Sequence, residues 1–116
     1  MVFTKKQLKQ VIKEVKYEEA LANFLLKLKE REETHIKENF TNLTPGDFEV
    51  KYGRVYDKIV TIDTQKSVYA FIDKKTGAII KPATWRAPEP KKRERGNIYN
   101  DDPLKGTNVY GVDYLV

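Results

Sequence analysis

The sequence predicts a small α+β protein: a helical segment packed on an antiparallel β-meander of three to four strands, followed by a proline-rich basic arm. Three observations carry that expectation. Apolar residues recur at three- and four-residue spacing through the first forty positions. Past Pro45-Gly46 the period shortens to two. From Pro82 onward, prolines and cations displace both patterns.

The helical part covers 1–41. Thr4 and Gln7 have capping-box spacing, with the hydroxyl accepting from the Gln7 amide and the Gln7 side chain reaching back. Phe3 and Leu8 stand where a hydrophobic staple forms across a helix start. Leu8, Val11, Ile12 and Val15 make one apolar stripe; Tyr17, Leu21, Phe24, Leu25 and Leu28 make a second, extended by Ile36 and Phe40. The stripes are out of phase by about two residues near Lys16–Glu18. Either one long helix turns its buried face there, or two helices meet. The favoured reading is a helix over Thr4–Lys16 and a longer one to Asn39, giving a helical hairpin or bent helix. Glu33 and Lys37 can pair one turn apart on the wet face.

Thr41–Gly46 is a turn, since Pro45 biases Thr44 out of the helical region. The meander occupies 47–81. Phe48, Val50 and Tyr52 alternate with Glu49 and Lys51, and Gly53 marks a turn or bulge. Val55–Asp63 is rich in β-branched and aromatic residues, with Ile59, Val60 and Ile62 marking a partly buried strand. In Ser67–Asp73, alternation assigns Tyr69 and Phe71 to one face and Val68, Ala70 and Ile72 to the other. Asp73–Gly77 reads as a hairpin loop, with Ala78–Lys81 returning. Pro82, Pro88 and Pro90 then favour extended geometry through the arm of 82–116. Gly96–Pro103 is turn-rich, and a short last strand is expected near the C-terminus, anchored by Val109, Val112, Tyr114 and Leu115.

With 116 residues, the chain is long enough for one domain with a modest core. It has no cysteine, which excludes disulfides, thiolate metal sites and a cysteine nucleophile. The N-terminus lacks the apolar core of a signal peptide. No apolar run approaches the ~20 residues of a membrane span, so no membrane partner is expected.

Charge concentrates in one place. Lys81, Arg86, Lys91, Lys92, Arg93 and Arg95 oppose only Glu89 and Glu94, so +4 of the net charge of +5 lies within Lys81–Asn97. The single Trp, Trp85, lies in the same stretch. An aromatic beside a stiff cationic segment suits an acidic partner, nucleic acid first. In that reading Trp85 stacks on bases, while Arg86, Lys91, Lys92, Arg93 and Arg95 neutralise phosphates. The bland reading makes Trp85 a cap on the core edge and the prolines a structural arm. Tyr52, Tyr56, Tyr69 and Phe71 add the prospect of an open aromatic sheet face; coverage by the arm is its bland counterpart.

The stretch S-V-Y-A-F-I-D-K-K-T-G-A-I-I-K-P-A-T-W-R-A-P, then R-G-N-I, then Y-G-V-D-Y-L, resembles a group of small phage-encoded proteins that share this combined motif. The resemblance covers roughly Ser67–Leu115 and leaves Met1–Phe40 outside it. That group carries no assigned activity. The resemblance therefore implies a phage origin, in the host cytoplasm or the virion, and no mechanism.

Other constellations point away from catalysis. Asp57, Asp63, Asp73, Asp101 and Asp102 match no metal-loop spacing, and turn capping explains them. His35 has no Ser or Asp partner in sequence, and the glycines form no phosphate loop. The expectation is a non-catalytic phage accessory protein, without cofactor or metal, that binds nucleic acid, single-stranded by preference, as a monomer or homodimer. The alternative is a module that binds a host or viral protein through Leu21, Phe24, Leu25 and Leu28; a third option is an enzyme with an unrecognised metal site.

Overall fold

A computed structural model of the chain describes residue 2 and residues 4–40 and 42–113. One uninterrupted helix, α1 (Lys5–Asn39), leads into β1 (Asp47–Lys51), β2 (Tyr56–Ile62), β3 (Lys66–Asp73), β4 (Ala78–Ile80), β5 (Glu94–Asn97), β6 (Thr107–Asn108) and β7 (Gly111–Val112). Strands β1 to β5 form one antiparallel sheet in sequence order, and β6 and β7 form a separate two-stranded ribbon. The molecule measures 55 × 31 × 26 Å. A 35-residue helix is about 52 Å long and so defines the long axis.

The helix begins at the expected cap. Thr4 Oγ1 accepts from the Gln7 amide at 3.1 Å, and Gln7 Oε1 accepts from the Thr4 amide at 2.8 Å. The staple residue Phe3 lies outside the described residues. The expected break at Lys16–Glu18 is absent. No Gly or Pro interrupts the backbone, so it stays helical and the phase shift acts on the faces instead. At about 100° per residue, a two-residue offset turns the second stripe to the opposite side. Tyr17, Leu21, Phe24 and Leu28 are buried against the sheet, while Leu8, Val11, Ile12 and Val15 are each 42–53% exposed. A helical hairpin would have hidden both stripes; a single helix hides only one.

The sheet has two covered faces. Toward the helix, Ile59, Tyr69, Ala70, Ile72 and Ile79 join Tyr17, Leu21, Phe24 and Leu28, with Ile98 and Val112 closing the end. On the far side, Phe71, Ala78 and Ile80 pack with Tyr56 and Val68. Tyr69 and Phe71 therefore part company, contrary to simple alternation. The register slips between Ile59 and Val60: Ile59 opposes Ala70 but Val60 opposes Val68, so Tyr69 is the extra residue of a β-bulge. A bulge sends two successive side chains the same way, and Tyr69 joins Ala70 on the helix side.

The sheet gains a fifth strand, β5, from a segment assigned to the arm. Its charged sequence, E-R-G-N, hides a strand that pairs with β4 because Arg95 finds a partner for its charge. The β3–β4 turn closes through Gly77, whose amide donates to Asp73 O at 2.8 Å with a φ of 78°. The β6–β7 ribbon is tied to the helix by Arg31, which donates to Tyr69 Oη at 2.7 Å, Thr107 Oγ1 at 3.1 Å and Asn108 O at 3.0 Å. Burial raises the Tyr69 pKa, partly countered by its hydrogen bond with Thr107 and by the Arg31 charge. Val112 anchors the ribbon, while Tyr114 and Leu115 lie outside the described residues. Among the described residues, no helix is long and apolar enough to cross a membrane.

Candidate nucleic-acid interface

The β4–β5 connection contains the Trp-plus-basic segment, and it is ordered by local bonds. Pro82 and Pro88 face each other in an antiparallel bridge. Between them, the Ala83 and Thr84 amides donate to Ala87 O at 3.0 and 3.2 Å. Thr84 Oγ1 accepts from the Arg86 and Ala87 amides at 3.2 and 3.1 Å. The result is a tight loop with Trp85 near its tip, because proline stiffness and one hydroxyl fix its backbone. A second turn follows, in which the Lys92 amide donates to Glu89 O at 3.0 Å and Lys92 adopts a left-handed φ of 50°.

This connection lies over the far side of the sheet. Lys58 Nζ is 4.3 Å from the Trp85 ring centroid and 5.9 Å from that of Phe71. Lys92 Nζ is 5.8 Å from the Tyr56 ring. Trp85 remains 42% exposed, whereas Phe71 is 3% exposed. The face therefore offers Trp85, with Tyr56 half-buried beside it, and not an open row of aromatics. Tyr52 is exposed but sits apart, just beyond β1.

The six residues assigned to nucleic-acid contact separate into two groups. Trp85, Arg86, Lys91 and Lys92 are exposed. Arg95 is buried. Its guanidinium donates to both Glu89 carboxylate oxygens, to Arg93 O at 2.9 Å and to Asp113 O at 3.1 Å. With four of its five N–H groups engaged, Arg95 is withdrawn from the phosphate-binding set and serves as a bolt between the arm, β5 and the C-terminal ribbon. Arg93 is intermediate: exposed, yet 3.5 Å from Glu89. The Arg95 hydrogen bond, helped by the Arg93 amide and the two guanidinium charges, lowers the Glu89 pKa to about 2. Lys81 is likewise engaged, donating to Val112 O at 2.9 Å. Lys58 was not singled out in the sequence; only β2–β3 pairing, which sets it opposite Phe71, brings it under Trp85.

The protein-binding alternative also changes. Leu21, Phe24 and Leu28 are at most 1% exposed and Leu25 is partly buried, so that stripe is spent on the core.

Nothing in the residue pattern marks Asp57 as interior. It is fully buried, accepting from Tyr17 Oη at 2.7 Å and from the Gly53 amide at 3.0 Å, with Lys74 Nζ at 3.8 Å. Burial, then the bond to Asp57, pushes the Tyr17 phenol above its ordinary range. Asp73 caps its own turn, accepting from the Lys75 amide at 2.8 Å. Among the described residues, no three His, Cys, Asp or Glu side chains converge as metal ligands would. His35 contacts Asn39 and the ring edges of Phe40 and Tyr110. A groove of about 910 Å³ between the helix and the β3–β4 turn is lined by Lys13, Lys16, Lys74 and Lys75 but also by Glu14 and Glu18, so its charge is mixed.

No curated protein and no solved structure matches this chain. A family model does, over residues 2–113. That span takes in the helix and the sheet: the chain belongs to DUF7717, a family of unknown function.

Proposed function

We propose that this protein is a non-catalytic phage accessory protein that binds nucleic acid, single-stranded by preference, through the far side of its sheet. The observation that carries the reading is the half-exposed Trp85 ring, seated on Lys58, in a β4–β5 connection that also exposes Arg86, Lys91 and Lys92. Trp85 stacks on a base, an interaction worth about 1–3 kcal/mol. Arg86, Lys91 and Lys92 neutralise phosphates, with Arg93 contributing less because Glu89 already faces it. Lys58 holds the ring from beneath. The phage setting, in host cytoplasm or virion, rests on the resemblance of the Ser67–Leu115 motif alone.

The test is the fluorescence of Trp85, the single Trp, during titration with a mixed-sequence single-stranded oligonucleotide. Quenching is expected at low salt. Three cations on phosphates predict that log K falls against log salt with a slope of about −2. No change in emission and no binding at low salt would refute the proposal.

A further inference from the structure

The face of α1 turned away from the sheet carries an exposed apolar row, and no part of the chain covers it among the described residues. Leu8, Ile12, Val15, Ala22 and Leu26 are all exposed, at 46%, 53% and 50% for the first three and 58% for Leu26. With Glu19 they are spaced four, three, four, three and four residues apart, the seam pattern of a coiled coil. Their mean direction lies roughly 180° from the buried Tyr17–Leu28 stripe. The seam runs for about 27 Å along the helix, and the sheet on the opposite side leaves it unobstructed.

We infer that two copies of this chain associate through this seam, with their helices antiparallel. Charge decides the direction. One flank of the seam carries Lys9 and Lys16 early and Asn23 and Glu30 late. Antiparallel helices set this flank against the same flank of the second copy, so Lys9 and Lys16 meet Glu30 and Asn23. Parallel helices would set it against the flank of Val11, Glu18 and Leu25, where no opposite charges meet in register. The N-terminal segment Lys5–Lys16 holds five lysines against Glu14, and a parallel pair would stack this cationic run on itself. In the antiparallel register Leu8 faces Leu26 of the second copy, Ile12 faces Ala22, and Val15 faces Glu19. The assembly is then sheet, helix, helix, sheet, with both Trp85 surfaces outward. This inference stands apart from the nucleic-acid reading.

Sedimentation equilibrium over a range of concentrations, with the whole chain, tests association. A monomer–dimer equilibrium is expected. Ile12→Asp and Val15→Asp together should weaken it by more than about tenfold with an unchanged circular dichroism spectrum, since both side chains are exposed. Glu19→Leu should tighten it. Because the chain lacks cysteine, orientation can be read by oxidation of an equimolar mixture of Leu8→Cys and Leu26→Cys proteins. Mixed disulfides between the two variants support the antiparallel pair. Homodisulfides alone would overturn the orientation. A monomer up to roughly 1 mM, or a dimer indifferent to Ile12→Asp and Val15→Asp, would overturn the interface.

Discussion

The Tyr17 hydroxyl donates to Asp57 Oδ2 at 2.7 Å, joining two residues forty positions apart. It fastens the middle of the long helix to strand β2. The Gly53 amide holds the other carboxylate oxygen at 3.0 Å. The bolt marks where the helix leaves the sheet, for the inward positions before Tyr17 include the groove-lining Lys13, Glu14 and Gln10.

Tyr17→Phe removes the donor and leaves one buried carboxylate oxygen without its partner. A loss of about 1–3 kcal/mol is expected, measured by urea denaturation. Asp57→Ala should cost at least as much, because it leaves both the phenol and the Gly53 amide without their partner. A Tyr17→Phe protein of unchanged stability would deny the bolt its structural role.

The two faces of α1 predict opposite outcomes for similar substitutions. Phe24→Ala empties a fully buried site and should cost about 3–5 kcal/mol. Ile12→Ala removes an exposed side chain and should change the stability of the monomer by less than about 0.5 kcal/mol. Denaturation of both variants at low protein concentration makes the comparison.

Acid should loosen the arm. The folded Glu89 pKa lies at about 2, below the ordinary carboxylate value of 4.5. A depressed folded pKa contributes stability that is complete above the unfolded value and is lost as pH falls through the folded one. The Glu89 contribution should therefore decline between about pH 4.5 and pH 2. Glu89→Gln should remove this part of the acid dependence, read as a flatter plot of unfolding free energy against pH.

Gly77→Ala places a side chain at a φ of 78° and sets its Cβ 2.6 Å from Tyr99 Cε2. Backbone strain and the close approach act together, and a loss of more than about 1 kcal/mol is expected. Thermal unfolding measures it; an unaltered Tm would mean that the β3–β4 turn relaxes without cost.

Binding variants should divide as the arm divides. Arg86→Ser and Lys91→Ser should each weaken oligonucleotide binding and lower the salt slope by about 0.7, without loss of stability. Arg95→Ser should instead destabilise the protein, because it strands the Glu89 carboxylate. Equal, salt-independent effects of all three on binding would argue against phosphate contacts.

Periodicity, capping and turn chemistry act within a few residues, and these by themselves determined the α+β class. They also determined the Thr4 start of the helix, the Pro45-Gly46 boundary, the Asp73–Gly77 turn and the concentration of cations around Trp85. Only the tertiary structure decided which apolar stripe is core. Both stripes have the same local pattern, and the choice depends on where the sheet docks. It also decided the face of Tyr69, because a one-residue bulge is a property of strand pairing and not of strand sequence. The fates of the cations were hidden for the same reason. Arg86 and Arg95 are alike as residues, but Arg95 points into a site where Glu89 and Arg93 O of the β4–β5 connection meet Asp113 O from beyond β7. Charge can be counted along a chain, but whether it is free to meet a partner depends on which groups folding brings against it.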